Sequence, residues 1–157
     1  MAETVKVIAH EAFPTTSLEI VHVEDYRQAF SHIDTIERFS SFQAFVLDFG
    51  CPGKRGRPDD ANGSGGLDTL RDIQAMEVAI GHSVPVVFVS TEDESNIQQA
   101  IEEQELRPLA AGHIFKKPGT YDDIKAIFGL LIQEAQKQPK PAETPATGSR
   151  PDLLAPR

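Results

Sequence analysis

Apolar residues fall along this chain in short blocks of two kinds. Three blocks of strand length, SLEIVHVED, FQAFVLDFG and VPVVFVSTED, are rich in Val, Ile, Leu and Phe and end in polar residues, which predicts buried strands. VKVIAH near the start and AAGHIFKKP later are two further strand candidates. Between these blocks the apolar spacing changes to three and four. DYRQAFSHIDTIERFSS puts Tyr26, Ala29, Phe30, Ile33, Ile36 and Phe39 on one helical face. LDTLRDIQAMEVAI does the same with Leu67, Leu70, Ile73 and Met76. STEDESNIQQAIEEQEL predicts a helix capped by Ser90 or Thr91 ahead of Ile97, Ala100 and Ile101. TYDDIKAIFGLLIQEAQKQ predicts another, capped by Thr120 and carrying Ile124, Ile127, Phe128, Leu130 and Leu131.

Strand and helix therefore alternate, which predicts an α/β domain with a mainly parallel sheet. Two stretches break the pattern. Residues 51–66, within GCPGKRGRPDDANGSGG, predict a long flexible loop. NGSGG is part of that loop rather than a phosphate cradle, because no Gly-Lys-Ser/Thr follows it. Residues 138–157 are rich in Pro, Ala and Thr and predict a disordered tail, so the expected domain spans residues 1–137.

Charge and cysteine content narrow the function. The formal net charge is −9, which speaks against a nucleic-acid or anionic-membrane surface, since phosphate binding needs clustered Lys and Arg. Cys51 is the single cysteine, which rules out an internal disulfide and a cysteine-based zinc site. There is no basic-then-apolar leader, and no apolar run approaches the roughly 20 residues of a membrane span. A cytoplasmic protein is the expectation.

In parallel sheets ligands sit beyond the carboxyl ends of the strands, so the residues that end each block come first. Those ends offer Glu11 or Glu24 and Asp25, then Asp48, then Ser90 and Thr91, then Lys117 before Pro118. The set has a chemical logic. An aspartate can attack a phosphoryl group if its charge repulsion is offset. A divalent cation on oxygen ligands supplies part of that offset, and a lysine and a hydroxyl can hold the transferred oxygens. Each residue also has a plainer role: Asp48 as a turn-former, Ser90 as a helix cap, Lys117 as half of a solvated pair with Lys116, and Glu11 as a loop carboxylate.

These residues carry a resemblance. FVLDFGCPG, GGLDTLRDIQAM, VPVVFVSTEDE and GHIFKKPGTYDDI together resemble a response-regulator receiver domain over roughly residues 5 to 135. The resemblance implies a flavodoxin-like, doubly wound domain with a five-stranded, mainly parallel sheet. It implies phosphotransfer to Asp48 from a histidine kinase or phosphotransfer protein, with Ser90 and Lys117 stabilising the phosphoryl group. It further implies Mg²⁺ at a site of acidic residues with Asp48 and the Gly50 backbone. Output would pass to a downstream protein target, with Ser90 and the residue at position 114 as the switch. Receivers often carry Tyr or Phe at that last position, where this chain has Ile114, which puts aromatic switching in doubt.

The amino-terminal part departs from the receiver pattern and leaves two registers open. With VKVIAH as the first strand, only EAFPTTS leads to SLEIVHVED. Seven extended residues span roughly 23 Å, enough to return along a strand but without a crossover helix. That register, the favoured one, leaves Glu11 as the only carboxylate beside Asp48. With SLEIVHVED as the first strand, Glu24 and Asp25 form the acidic pair and VKVIAH becomes an antiparallel edge strand. A phosphorylation-independent interaction module is the second functional class the departures admit. An enzyme or cofactor binder is the third, with no motif to support it.

Overall fold

Pro85 to Ser90 is the axis of the molecule: every residue from Val84 to Ser90 is buried. The structure, a computed structural model, describes residues 2–50, 64–110, 112–116 and 120–137. Within them lie three strands, β1 (Phe45–Asp48), β2 (Val86–Ser90) and β3 (Ile114–Lys116). They form one parallel sheet in the order β1-β2-β3, with Asp48 opposite Val89 and Ser90 opposite Lys116. Six helices accompany them: α1 (Ala2–Ala12), α2 (Tyr26–Ile33), α3 (Ile36–Ser40), α4 (Ser64–Ile80), α5 (Glu94–Glu103) and α6 (Tyr121–Gln136). The chain is thus α/β with a small all-parallel sheet, and the described residues hold three of the five expected strands.

Alternate residues of a strand face opposite sides, and β2 shows what lies on each. Val86 and Phe88 join Leu47, Leu70, Ile73, Ile97 and Ile101 in the larger core cluster. Val87 and Val89 pack instead with Ile127 and Leu131 of α6. Helices therefore cover both faces of β2, which explains why its sequence is continuously apolar rather than alternating.

Several local rules act as the sequence predicts. Thr120 caps α6 with a capping box, its Oγ1 accepting from the Asp123 N–H at 3.2 Å while Asp123 Oδ2 accepts from the Thr120 N–H at 3.1 Å. The predicted helix over 25–41 is interrupted by Asp34 and Thr35, and the Thr35 hydroxyl accepts from the Arg38 N–H at 3.1 Å to restart it as α3. That break turns Ile36 outward and leaves it 52% exposed. The cap of α5 is Asp93, not Ser90 or Thr91, because β2 runs on through Ser90.

Two corrections concern the amino-terminal third. VKVIAH is part of helix α1, neither a first strand nor an edge strand. Val5, Ile8, Ala9 and Ala12 share one helical face, and that face is half-buried to buried. α1 packs on α6, and the Phe13 ring that follows it lies against Gly129. The pull of the β-branched residues toward a strand is small beside that burial. SLEIVHVED is not a strand either: Ser17–Val23 pairs with none. Both registers fall with these findings. A crossover-length helix is present, and among the described residues no strand precedes it.

The predicted loop is shorter at its end, since Ser64, Gly65 and Gly66 form the first turn of α4. Residues 51–63 and the predicted tail, 138–157, lie outside the described residues.

Candidate functional site

Asp48 ends β1 at the carboxyl edge of the sheet, half-buried, where the sequence pattern puts it. Its Oδ1 accepts from the Gly50 N–H at 2.9 Å, which folds the chain back over the strand end. The first turn of α4 lies directly against this corner. A Cβ on Gly66 would fall 2.7 Å from the Phe88 ring, 2.8 Å from the Asp48 carbonyl oxygen and 3.0 Å from Phe49 Cα. Two of those contacts are backbone, so only glycine lets the helix approach this closely.

Ser90 ends β2, the neighbouring strand, and is only 3% exposed. Its Oγ accepts from the Glu92 N–H at 2.9 Å and shapes the turn into α5. Lys116 ends β3. Its Nζ donates to the carbonyls of Thr91 at 3.3 Å and Glu92 at 3.2 Å, and pairs with Asp93 Oδ1 at 3.0 Å. Asp48, Ser90 and Lys116 thus terminate three adjacent parallel strands, and the last of them ties β3 to the loop that Ser90 shapes. Lys117, the predicted phosphoryl-stabilising residue, lies outside the described residues, as do Cys51, Asp59 and Asp60. Ile114, the predicted switch position, packs half-buried against the larger core cluster.

The acidic partners proposed for Mg²⁺ are placed differently. Glu11 is exposed on α1, the helix that packs on α6, and is not at a strand end. Asp25 caps α2, its Oδ1 accepting from the Gln28 N–H at 2.9 Å. Glu24 is exposed, and its N–H donates to Gln28 Oε1 at 2.9 Å. Among the described residues no group of three or more His, Cys, Asp or Glu side chains is arranged to hold a metal ion. The donor set that Mg²⁺ needs does not fit these residues.

Three residues to which sequence reasoning gave no such role hold neighbouring elements together. Glu77 is 4% exposed on α4; its Oε2 accepts from the Val84 N–H and its Oε1 from Arg107 Nη2, both at 2.6 Å. Tyr26 donates to Asp72 Oδ2 at 2.5 Å, and burial with that carboxylate beside it holds the phenol well above its ordinary range. Gly66 was hidden inside an apparent flexible loop. Its only sequence signal is the Gly pair standing immediately before Leu67. No helix among the described residues is long and apolar enough to cross a membrane.

No family model, curated protein or solved structure matches this chain.

Proposed function

We propose that the chain is a receiver-like signalling module that accepts a phosphoryl group on Asp48 and acts through protein–protein contacts. The observation that carries this reading is the placement of Asp48 and Ser90 at the carboxyl ends of adjacent parallel strands. A carboxylate there can be approached by a phosphoryl donor, and the hydroxyl next door can turn toward the oxygens it brings. In the transfer, an Asp48 carboxylate oxygen forms the new O–P bond as the N–P bond of a phosphohistidine breaks. The leaving imidazole nitrogen takes a proton from solvent. Lys117 is proposed to neutralise the phosphoryl oxygens, and the resulting change at Ser90 passes to α5 and β3 through the loop held by Lys116. The partners on this reading are a histidine kinase or phosphotransfer protein upstream and a protein target downstream.

A second reading, a phosphorylation-independent interaction module, is favoured by one observation: the described carboxylates do not gather around Asp48 as a metal-assisted transfer requires. One experiment separates the two. The full chain is incubated with acetyl phosphate or beryllofluoride, with and without Mg²⁺, and followed by intact mass and backbone amide shifts. The phosphoacceptor reading expects a mass gain of one phosphoryl group, lost in Asp48→Asn, or shifts centred on Asp48, Ser90 and α5. A folded protein that shows neither would overturn it and leave the interaction module.

A further inference from the structure

By its sequence Lys116 is half of a solvated pair with Lys117, and its side chain is largely exposed. An ammonium carries three donors, and Lys116 places its Nζ on three acceptors of a single turn: the Thr91 carbonyl, the Glu92 carbonyl and the Asp93 carboxylate. Asp93 forgoes its usual bond in this arrangement. It is the N-cap of α5, where an aspartate normally accepts from the first helical N–H groups, yet its side chain makes no capping bond and pairs with Lys116.

The turn held in this way contains the bond that fixes Ser90. Glu92 N–H donates to Ser90 Oγ at 2.9 Å. That N–H belongs to the same peptide group as the Thr91 carbonyl, which accepts from Lys116 Nζ at 3.3 Å. One peptide unit is therefore hydrogen-bonded at both ends, with an ammonium on its oxygen and a hydroxyl on its N–H. Electron density drawn toward the oxygen makes the N–H a stronger donor, and a hydroxyl that accepts a stronger bond becomes a stronger donor in turn. Such polarisation counts most away from water, and Ser90 is almost fully buried. Ser90 and Lys116 are register partners on adjacent strands, so the chain of bonds closes over the carboxyl edge of β2 and β3. None of the described residues accepts the Ser90 O–H.

We propose that Lys116 is a positioning residue for Ser90, acting through the Thr91–Glu92 peptide, and that it sets the Ser90 hydroxyl to donate to an anion at the carboxyl edge of the sheet. The class of ligand follows from the bonding. With the Glu92 N–H on its oxygen, the hydroxyl has its proton left to offer, and the group that takes it is an acceptor such as a phosphoryl oxygen. That this anion is the phosphoryl group on Asp48 rests on the function proposed above; the relay from Lys116 to Ser90 does not. Lys116 touches the turn and not the anion, so its role is separate from the neutralising role proposed for Lys117.

The test uses the full ¹⁵N-labelled chain and the variants Lys116→Met, Lys116→Arg, Asp93→Asn and Ser90→Ala. In the free chain, Lys116→Met should speed hydrogen exchange at the Glu92 amide about tenfold and move its proton shift upfield, while the core amides of β2 stay protected. Lys116→Arg should restore both. Asp93→Asn breaks only the ion pair and should leave Glu92 nearly unchanged, which separates the peptide relay from a surface salt bridge. With beryllofluoride and Mg²⁺ as the phosphoryl mimic, Lys116→Met and Ser90→Ala should each weaken binding about tenfold. The double variant should lose no more than either alone, since both act through one hydroxyl. Two results would overturn the proposal: Glu92 exchange and shift unmoved by Lys116→Met, or losses that add in the double variant. A wild-type chain that takes no beryllofluoride sinks the phosphoacceptor reading instead, and the Glu92 amide then decides the relay by itself.

Discussion

Val84–Ser90 and Ser17–Val23 are each seven residues long and apolar enough to be strands, yet one is the axis of the fold and the other pairs with no strand among the described residues. The difference lies outside both segments. β2 has a ladder partner on each side and a helical layer on each face, so every apolar residue has somewhere to go. Ser17–Val23 meets no described strand, and its Glu19 and Val21 border a cleft lined otherwise by α2, α3 and the turn at Ser41–Phe42. Strand character is thus a property of the neighbours a segment finds, which is why β propensity shifts with context while helix propensity travels with the residue.

The comparison can be broken most sharply in the cores of the two segments. Phe88→Ala is expected to cost about 3–5 kcal/mol, since Phe88 is fully buried against Phe49 and the α4 corner. Ile20→Ala is expected to cost less than about 1 kcal/mol. Urea unfolding of the two variants checks both, and comparable losses would show that Ser17–Val23 is as integrated as β2. Next in size is Glu77→Ala, which strands the buried Val84 N–H that leads into β2 and unpairs Arg107. A loss of about 2–3 kcal/mol is expected, with Glu77→Gln recovering part of it by accepting the Val84 bond. The smallest change is Thr120→Ala, which removes one half of the α6 capping box at a cost of about 1 kcal/mol. It acts on the helix behind β2 and should leave Ser17–Val23 unchanged in amide exchange.

How much of this was legible beforehand follows the same line. β1, β2, β3, α4, α5 and α6 could be read because each carries its period and a start or stop signal, Asp48 ending β1 and Thr120 starting α6 among them. Asp48 and Ser90 could be placed at strand ends for that reason. Apolar composition alone gave the amino-terminal third two strands that are not there. Val5 to Ile8 looks extended over four residues, and only the longer spacing through Ala9 and Ala12 shows the helical face. Leu18 to Val23 alternates well enough, but alternation cannot say whether a partner strand is present. Glu77 and Lys116 were illegible for a different reason. Their partners, Val84, Arg107 and the Thr91–Asp93 turn, are fixed by packing and not by spacing.

Gly66 has a consequence for tracing descent. The strand end at Asp48 and the first turn of α4 touch backbone to backbone at that position, with no space for even a methyl group. Substitutions elsewhere in the corner can drift by repacking, whereas a change at Gly66 has to move a strand. Chains that share this architecture should keep a glycine about one helical turn, four residues, upstream of their Leu70 equivalent even when the carboxylate and hydroxyl have gone. Such a glycine, more than the chemistry of the site, is the mark by which distant relatives can be sought.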